Sequence, residues 1–256
     1  MPETQAPSPF DDPESYDLLF ETLDFDIELY RSVVRENGGP VLDLACGTGR
    51  ILLRLLQDGF ETDGVDLFEP MLKTLAAKAA ALRKNPNLYN CDLSNFKTQR
   101  KYKVVLCAFN AFAHNLTQRD QLSSLRCIHD HLQTGGVFVC HMSYPAAQLW
   151  SEPDGIAILE AEIPQPKTGG FVRIYDTRFK NPIEQTQQSK MEIQILDANR
   201  NIINTNKSET TVRWIYKPEF ELLLRAAGYS RFDIYGDFDR SPLTRDSQQM
   251  IVMGWK

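Results

Sequence analysis

The stretch Val41-Leu-Asp-Leu-Ala-Cys-Gly-Thr-Gly-Arg50 decides the fold, because an apolar run ends in a glycine turn that leads directly into a helical pattern. Glycines at 47 and 49 let the backbone approach a ligand closely, and the helix that follows offers N–H groups carrying partial positive charge. Such a turn suits an anion or a carboxylate. A dinucleotide fingerprint needs a third glycine at position 52, where leucine stands, and a phosphate loop needs Gly-Lys-Ser/Thr, which the stretch lacks. Asp66 closes the next apolar run, in Gly64-Val-Asp-Leu-Phe-Glu-Pro-Met-Leu72. A carboxylate there can accept hydrogen bonds from both hydroxyls of a ribose, so one nucleoside is expected. The same residues also fit a tight turn and an exposed cap.

Outward from this unit, residues 40 to 144 alternate short apolar runs with amphipathic ones, the pattern of βαβ units around a parallel sheet. The predicted strands are Val41–Ala45, Thr62–Asp66, Asn87–Cys91, Tyr102–Phe109 and Gly136–Met142. Most are nearly continuous in apolar character, as when helices cover both faces. The predicted helices are Arg50–Gln57, Pro70–Lys84 and Gln118–Leu132, the last with Thr117 and Asp120 placed as a capping box. Near residue 150 the rhythm changes. Four strand-like runs follow without a long helix, Ile156–Ile163, Phe171–Lys180, Lys190–Leu196 and Ser208–Tyr216, with period-two alternation in the last two. A helix over Pro218–Ala227 and strands Phe232–Tyr235 and Met250–Trp255 complete the chain. The expectation is a mobile tail over 1–14, an α/β domain over 15–148 with 217–256, and an antiparallel β insertion over 149–216.

The chain has 256 residues with 28 Lys plus Arg against 34 Asp plus Glu, a net charge of −6, so phosphate neutralisation is not the expected basis of a partner. With 42% hydrophobic and 24% charged residues it has the composition of an ordinary globule with a core. The five cysteines, at 46, 91, 107, 127 and 140, form no CxxC pair, so neither a disulfide framework nor a metal site is suggested. The expected setting is a reduced cytoplasm, with no leader and no membrane span.

Asn90-Cys-Asp-Leu93 adds an acid just past the third strand. Together, Asp43-Leu-Ala-Cys-Gly-Thr-Gly49, the acid-bearing segment at 65–72, the Cys91-Asp-Leu93 segment and the turn and strand Leu132-Gln-Thr-Gly-Gly-Val-Phe-Val139 resemble the class I S-adenosylmethionine-dependent methyltransferases. The likeness covers residues 16 to about 145 and about 213 to the end. It is strongest to the small-molecule branch with glycine and amino-sugar N-methyltransferases. The resemblance implies a Rossmann-like seven-stranded, mostly parallel sheet with the β insertion after strand five, and S-adenosyl-L-methionine as cofactor. It also implies that Ala45, Gly47, Thr48 and Gly49 hold the methionine moiety and that Asp66 holds the ribose. Leu67 and Met71 then take the adenine faces, Asp92 with the Leu93 backbone the adenine amino edge, and Phe109 a place beneath the sulfonium. Asp43 would brace the turn. Ala45 stands where many members carry glycine.

Methyl transfer from a sulfonium is an in-line displacement, in which alignment and desolvation supply much of the rate and a base is needed only when the acceptor must lose a proton. His114, at the carboxyl edge of the predicted sheet, is the first candidate base, and His141, after strand five, the second. The plain alternatives are a loop histidine and a buried strand-end residue. Tyr16 opens a helical stretch that in the resembling family folds over the cofactor, or else anchors that stretch to the core. Arg173, Tyr175, Arg178, Arg213 and Trp214, or Asp237 and Asp239, could border the acceptor, or face solvent. The expected activity is methylation of a small-molecule acceptor at nitrogen, then oxygen. The rivals are a nucleic-acid methyltransferase and a non-catalytic S-adenosylmethionine-binding module. Neither nucleic acid nor membrane is an expected partner, and a homodimer through the insertion would cover its edge strand.

Overall fold

The computed structural model describes residues 12–165 and 168–256. In chain order the elements are α1 (Pro13–Phe20), α2 (Ile27–Asn37), β1 (Val41–Leu44), α3 (Leu52–Gln57), β2 (Thr62–Asp66), α4 (Glu69–Ala81), β3 (Leu88–Asn90), β4 (Tyr102–Cys107), a 3-10 turn (Ala111–His114), α5 (Gln118–His131), β5 (Leu132–Ser143) and α6 (Ala147–Ser151). Then follow β6 (Ala157–Gln165), β7 (Gly170–Asn181), β8 (Thr186–Leu196), β9 (Ile202–Arg213), α7 (Lys217–Ala227), β10 (Arg231–Tyr235) and β11 (Gln249–Trp255).

One sheet has the order β10-β11-β5-β4-β1-β2-β3, with β11 antiparallel to both neighbours and the remaining pairs parallel. A second, antiparallel sheet runs β6-β7-β8-β9. The continuous apolar strands have the expected cause. On one face Leu42, Leu44, Val105, Cys107, Phe138 and Cys140 join the cluster that reaches α5 and α7. On the other, Val41, Val104, Leu106, Val137 and Val139 pack under α2 and α3. Each fully buried aliphatic side chain contributes about 1.5–3 kcal/mol.

Some expectations shift. Residues 1–11 of the expected tail lie outside the described residues, and the rest of it is structured: Asp12 accepts from the Glu14 N–H at 3.1 Å and caps α1, which begins at Pro13. α2, not read from the sequence, buries Ile27, Leu29, Tyr30, Val33 and Val34 and stops at Gly38, whose φ of 76° is open to glycine. The last insertion strand spans Ile202–Arg213 rather than Ser208–Tyr216. Trp214 and Ile215 continue into the core, and Tyr216 is the N-cap of α7.

Candidate functional site

The order of the large sheet reverses between β1 and β4, and the carboxyl ends of β1, β2, β3 and β4 open there on a cavity of about 250 Å³. Its wall holds Tyr16, Ala45, Gly47, Asp66, Leu67, Met71, Asp92, Leu93, Phe109 and His114, together with Val65, Phe68, Cys91, Ala108, Ala111 and Asn115. Ten sequence-predicted residues thus come together. Thr48, Gly49 and His141 lie off the wall. Thr48 instead donates to Asp17 at 2.5 Å, and a Cβ on Gly49 would fall 2.3 Å from Leu75 Cδ1, so this glycine admits α4 rather than a ligand.

The backbone bends sharply on both sides of the switch point. Ala45 (φ 53°), Gly47 (φ 54°), Phe109 (φ 51°) and Asn110 (φ 63°) are left-handed, and for the non-glycine residues each such turn costs about 1–3 kcal/mol. Surrounding hydrogen bonds hold them. The Asn110 N–H donates to the His141 carbonyl at 3.1 Å, its side chain donates to Ser143 Oγ at 2.9 Å, and the Ser143 N–H donates to Asn110 Oδ1 at 2.5 Å.

Asp66 is 6% exposed, and its carboxylate receives the Gly47 N–H at 2.7 Å and the Phe68 N–H at 2.8 Å. Burial raises its pKa, and these backbone donors oppose the rise. Each oxygen keeps lone-pair capacity for a further donor. Asp43 lies beneath the turn and accepts from the Leu52 N–H at the start of α3, and burial pushes its carboxyl up to about 7. Leu67 is 57% exposed on the wall, an apolar face without cover. Asp92 Oδ1 accepts from the Ser94 N–H at 2.7 Å.

α1 lies over the glycine turn. A Cβ on Gly47 would sit 3.6 Å from the Tyr16 ring, and a ladder of rings continues from Tyr16 to Phe20 at 5.0 Å and Phe109 at 5.3 Å. Burial pushes the Tyr16 phenol up to about 12, so it remains protonated. Lys78 pairs with Asp17 at 2.6 Å and with Glu21 at 2.8 Å, tying α1 to α4. His114 is an exposed side chain at the cavity, and desolvation by its surroundings lowers its pKa, favouring the neutral imidazole.

Sequence reasoning missed the strongest electrostatic feature. Arg50, the last residue of the quoted stretch, donates to Asp26 at 2.6 and 2.7 Å with both side chains buried, and its guanidinium lies 5.1 Å from the centre of the Phe109 ring. Its partner belongs to the unread segment before α2. A second buried network joins the cavity to the insertion. Gln121 donates to the Asn115 carbonyl at 3.1 Å and accepts from Arg213 at 3.0 Å, and Arg213 also donates to Glu219 at 2.7 Å. Arg213 is thereby withdrawn from solvent rather than lining a mouth.

His141 is 3% exposed, shares a hydrogen bond of 2.7 Å with Gln249 and packs on Phe238, which fits a buried strand-end residue. Arg173 pairs with Glu162, Arg178 with Glu152, and Trp214 is buried against Trp150. Asp237 and Asp239 line a separate open groove of about 1430 Å³ beside α2.

The methyltransferase domain family matches residues 41–136, which supply all of this cavity's wall except Tyr16. YqeM of Bacillus subtilis (strain 168), a protein that bears the name of a methyltransferase, is 30% identical over 120 residues. That is 44% of this chain and 47% of the relative, so the chain spans about half of its length. The dTDP-3-amino-3,6-dideoxy-alpha-D-glucopyranose N,N-dimethyltransferase of Streptomyces fradiae is 27% identical over 195 residues, 74% of this chain and 69% of that one. A solved S-adenosylmethionine-dependent methyltransferase of Clostridium acetobutylicum ATCC 824 shares the fold with a TM-score of 0.76 at 20% identity, covering 94% of this chain and 96% of that one.

Proposed function

We propose, for a chain that belongs to the class I S-adenosylmethionine-dependent methyltransferases and uses S-adenosylmethionine as cofactor, that it methylates the nitrogen of a small-molecule amine. The observation that carries this reading is the cavity at the switch point. A buried carboxylate, an uncovered apolar face and a glycine turn under a tyrosine ring occur there together. These groups suit a ribose, an adenine and an amino-acid moiety in that order. Asp66 accepts from the ribose hydroxyls, Leu67 and Met71 sandwich the base, and Asp92 with the Leu93 backbone meets its amino edge. Ala45 and Gly47 hold the methionine end. The cofactor supplies an electrophilic methyl group on a sulfonium.

The protein's own part is alignment and proton control. Tyr16 and Phe109 present aromatic groups suited to a cation, and α1 excludes water from above. An amine attacks only through its lone pair, and His114, held neutral by desolvation, takes the ammonium proton first. Nitrogen stands before oxygen because the Streptomyces fradiae relative is named for N,N-dimethylation of an amino sugar. Five free thiols suit a reducing cytoplasm, and the exposed edge of β9, with Ile202 and Ile203, suits pairing with a second copy.

The test is transfer of a labelled methyl group from S-adenosylmethionine to a panel of amino sugars and amino acids, with the matching hydroxyl compounds alongside. Label on the amines is expected. Normal binding of S-adenosylhomocysteine with no transfer to any amine would overturn the reading.

A further inference from the structure

The inner face of the four-stranded sheet changes from apolar to polar along its length. Cross-strand partners share a face, so Ile174 and Ile193 form one row, Asp176, Met191 and Ser208 the next, and Arg178 with Ser189 the one after. α1 covers the first row, where Leu19 packs with Ile174 and Ile193. Beyond the third row, Val212 on the same face packs against the cluster that includes Ala111, Phe112 and Ala113 of the 3-10 turn. α1 carries Tyr16 and the 3-10 turn carries His114, both on the cavity wall. The polar rows therefore lie between the two segments that carry Tyr16 and His114 to the cavity.

The chemistry of these rows is incomplete. Asp176 is 7% exposed, and its Oδ2 accepts from Arg178 Nε at 2.8 Å and from Ser189 Oγ at 3.1 Å. Its Oδ1 has no hydrogen-bond partner among the described residues, nor has Oγ of Ser208, which is also 7% exposed. Arg178 does not belong to Asp176 alone, because Glu152 and Glu160 share the same guanidinium. Buried polar groups without partners are rare in folded chains, and a carboxylate oxygen in that state calls for a donor.

We propose that Asp176, assisted by Ser208, is the specificity site for the acceptor, receiving an N–H or O–H donor of a small polyhydroxylated amine whose nitrogen is methylated at the cavity. The inference rests on the amine-methylating reading above and adds to it the residues that select the acceptor.

The experiment uses the full chain loaded with S-adenosylhomocysteine and labelled with 13C at the methionine methyl groups, Met191 being assigned through Met191→Leu. The probes are glucosamine and 3-amino-3-deoxyglucose. Each is expected to move the Met191 signal in the wild type. Asp176→Asn is expected to abolish the movement and raise the KM for methylation about 10-fold or more, with S-adenosylhomocysteine affinity unchanged. Ser208→Ala is expected to weaken the movement in the same direction. A Met191 signal that no amino sugar moves, or an Asp176→Asn variant with wild-type KM, overturns the proposal. Movement of Met191 without methylation of any amine would overturn the amine-methylating reading instead and leave a binding face.

Discussion

Replacing Asp26 by asparagine leaves the Arg50 guanidinium buried without its counter-charge. The pair is bidentate at 2.6 and 2.7 Å, with side-chain exposures of 3% and 0%, so solvent does not screen it. Asparagine keeps one acceptor for two donors. Breaking a buried pair from one side costs about 3–5 kcal/mol, and Arg50 retains the Leu23 carbonyl at 3.2 Å and the Phe109 ring at 5.1 Å, which places the expected loss near the lower bound, about 3 kcal/mol. For a chain of this size that corresponds to a fall in Tm of about 6–12 °C. Asp26→Leu combined with Arg50→Met removes both charges, and its loss is expected to be smaller than that of Asp26→Asn alone. Urea unfolding of Asp26→Leu, Arg50→Met and the double variant closes a cycle whose coupling energy isolates the pair. A loss below about 1 kcal/mol for Asp26→Asn, or a double variant worse than the sum of its parts, would refute the reasoning.

Asp43 supplies a pH test: burial raises its carboxyl from the usual 3.8 to about 7, so the folded state binds the extra proton between those values. Wild-type stability therefore falls relative to Asp43→Asn as pH rises from about 4 to 7, by up to about 4 kcal/mol, and the gap stays constant above that range. Chemical unfolding at stepped pH reads the gap. Gly49→Ala meets Leu75 at 2.3 Å with φ at 94° and is expected to cost about 2–4 kcal/mol of stability in the same assay. Gly47→Ala meets the Tyr16 ring only at 3.6 Å, so it should cost about 1–2 kcal/mol while weakening cofactor binding in calorimetry. His114→Gln should lower turnover of an ammonium acceptor about 10²–10⁴-fold and remove an inflection in kcat/KM below pH 6.5, the side on which protonation of a desolvated imidazole abolishes the base.

The parallel sheet was legible because β1, β4 and β5 are covered on both faces and read as near-continuous apolar runs, and the glycine turn marks where β1 ends. The edge strand β9 was half hidden for the opposite reason. Residues 202–207 are exposed along the whole run and carry no alternation, so the reading began at Ser208, the first buried position. It then ran on to Tyr216 because Trp214 and Ile215 are buried by other contacts, not by the sheet. The cavity wall was legible where residues sit at strand ends, as with Asp66 and Phe109. Distance in sequence hid what supports it: Asp26 lies 24 residues from Arg50, and Gln121 lies 92 from Arg213. No local pattern announces such pairs.

The central claim is tested most directly by calorimetric titration of S-adenosylhomocysteine into the wild type and Asp66→Ala. Loss of hydrogen bonds to a charged acceptor costs about 1.5–3 kcal/mol, a weakening of roughly 10- to 150-fold. That weakening, with the unfolding transition of the variant still cooperative, is the expected result. Equal affinity in the two proteins, or no binding to the wild type, would contradict the assignment of this cavity to the adenosyl cofactor.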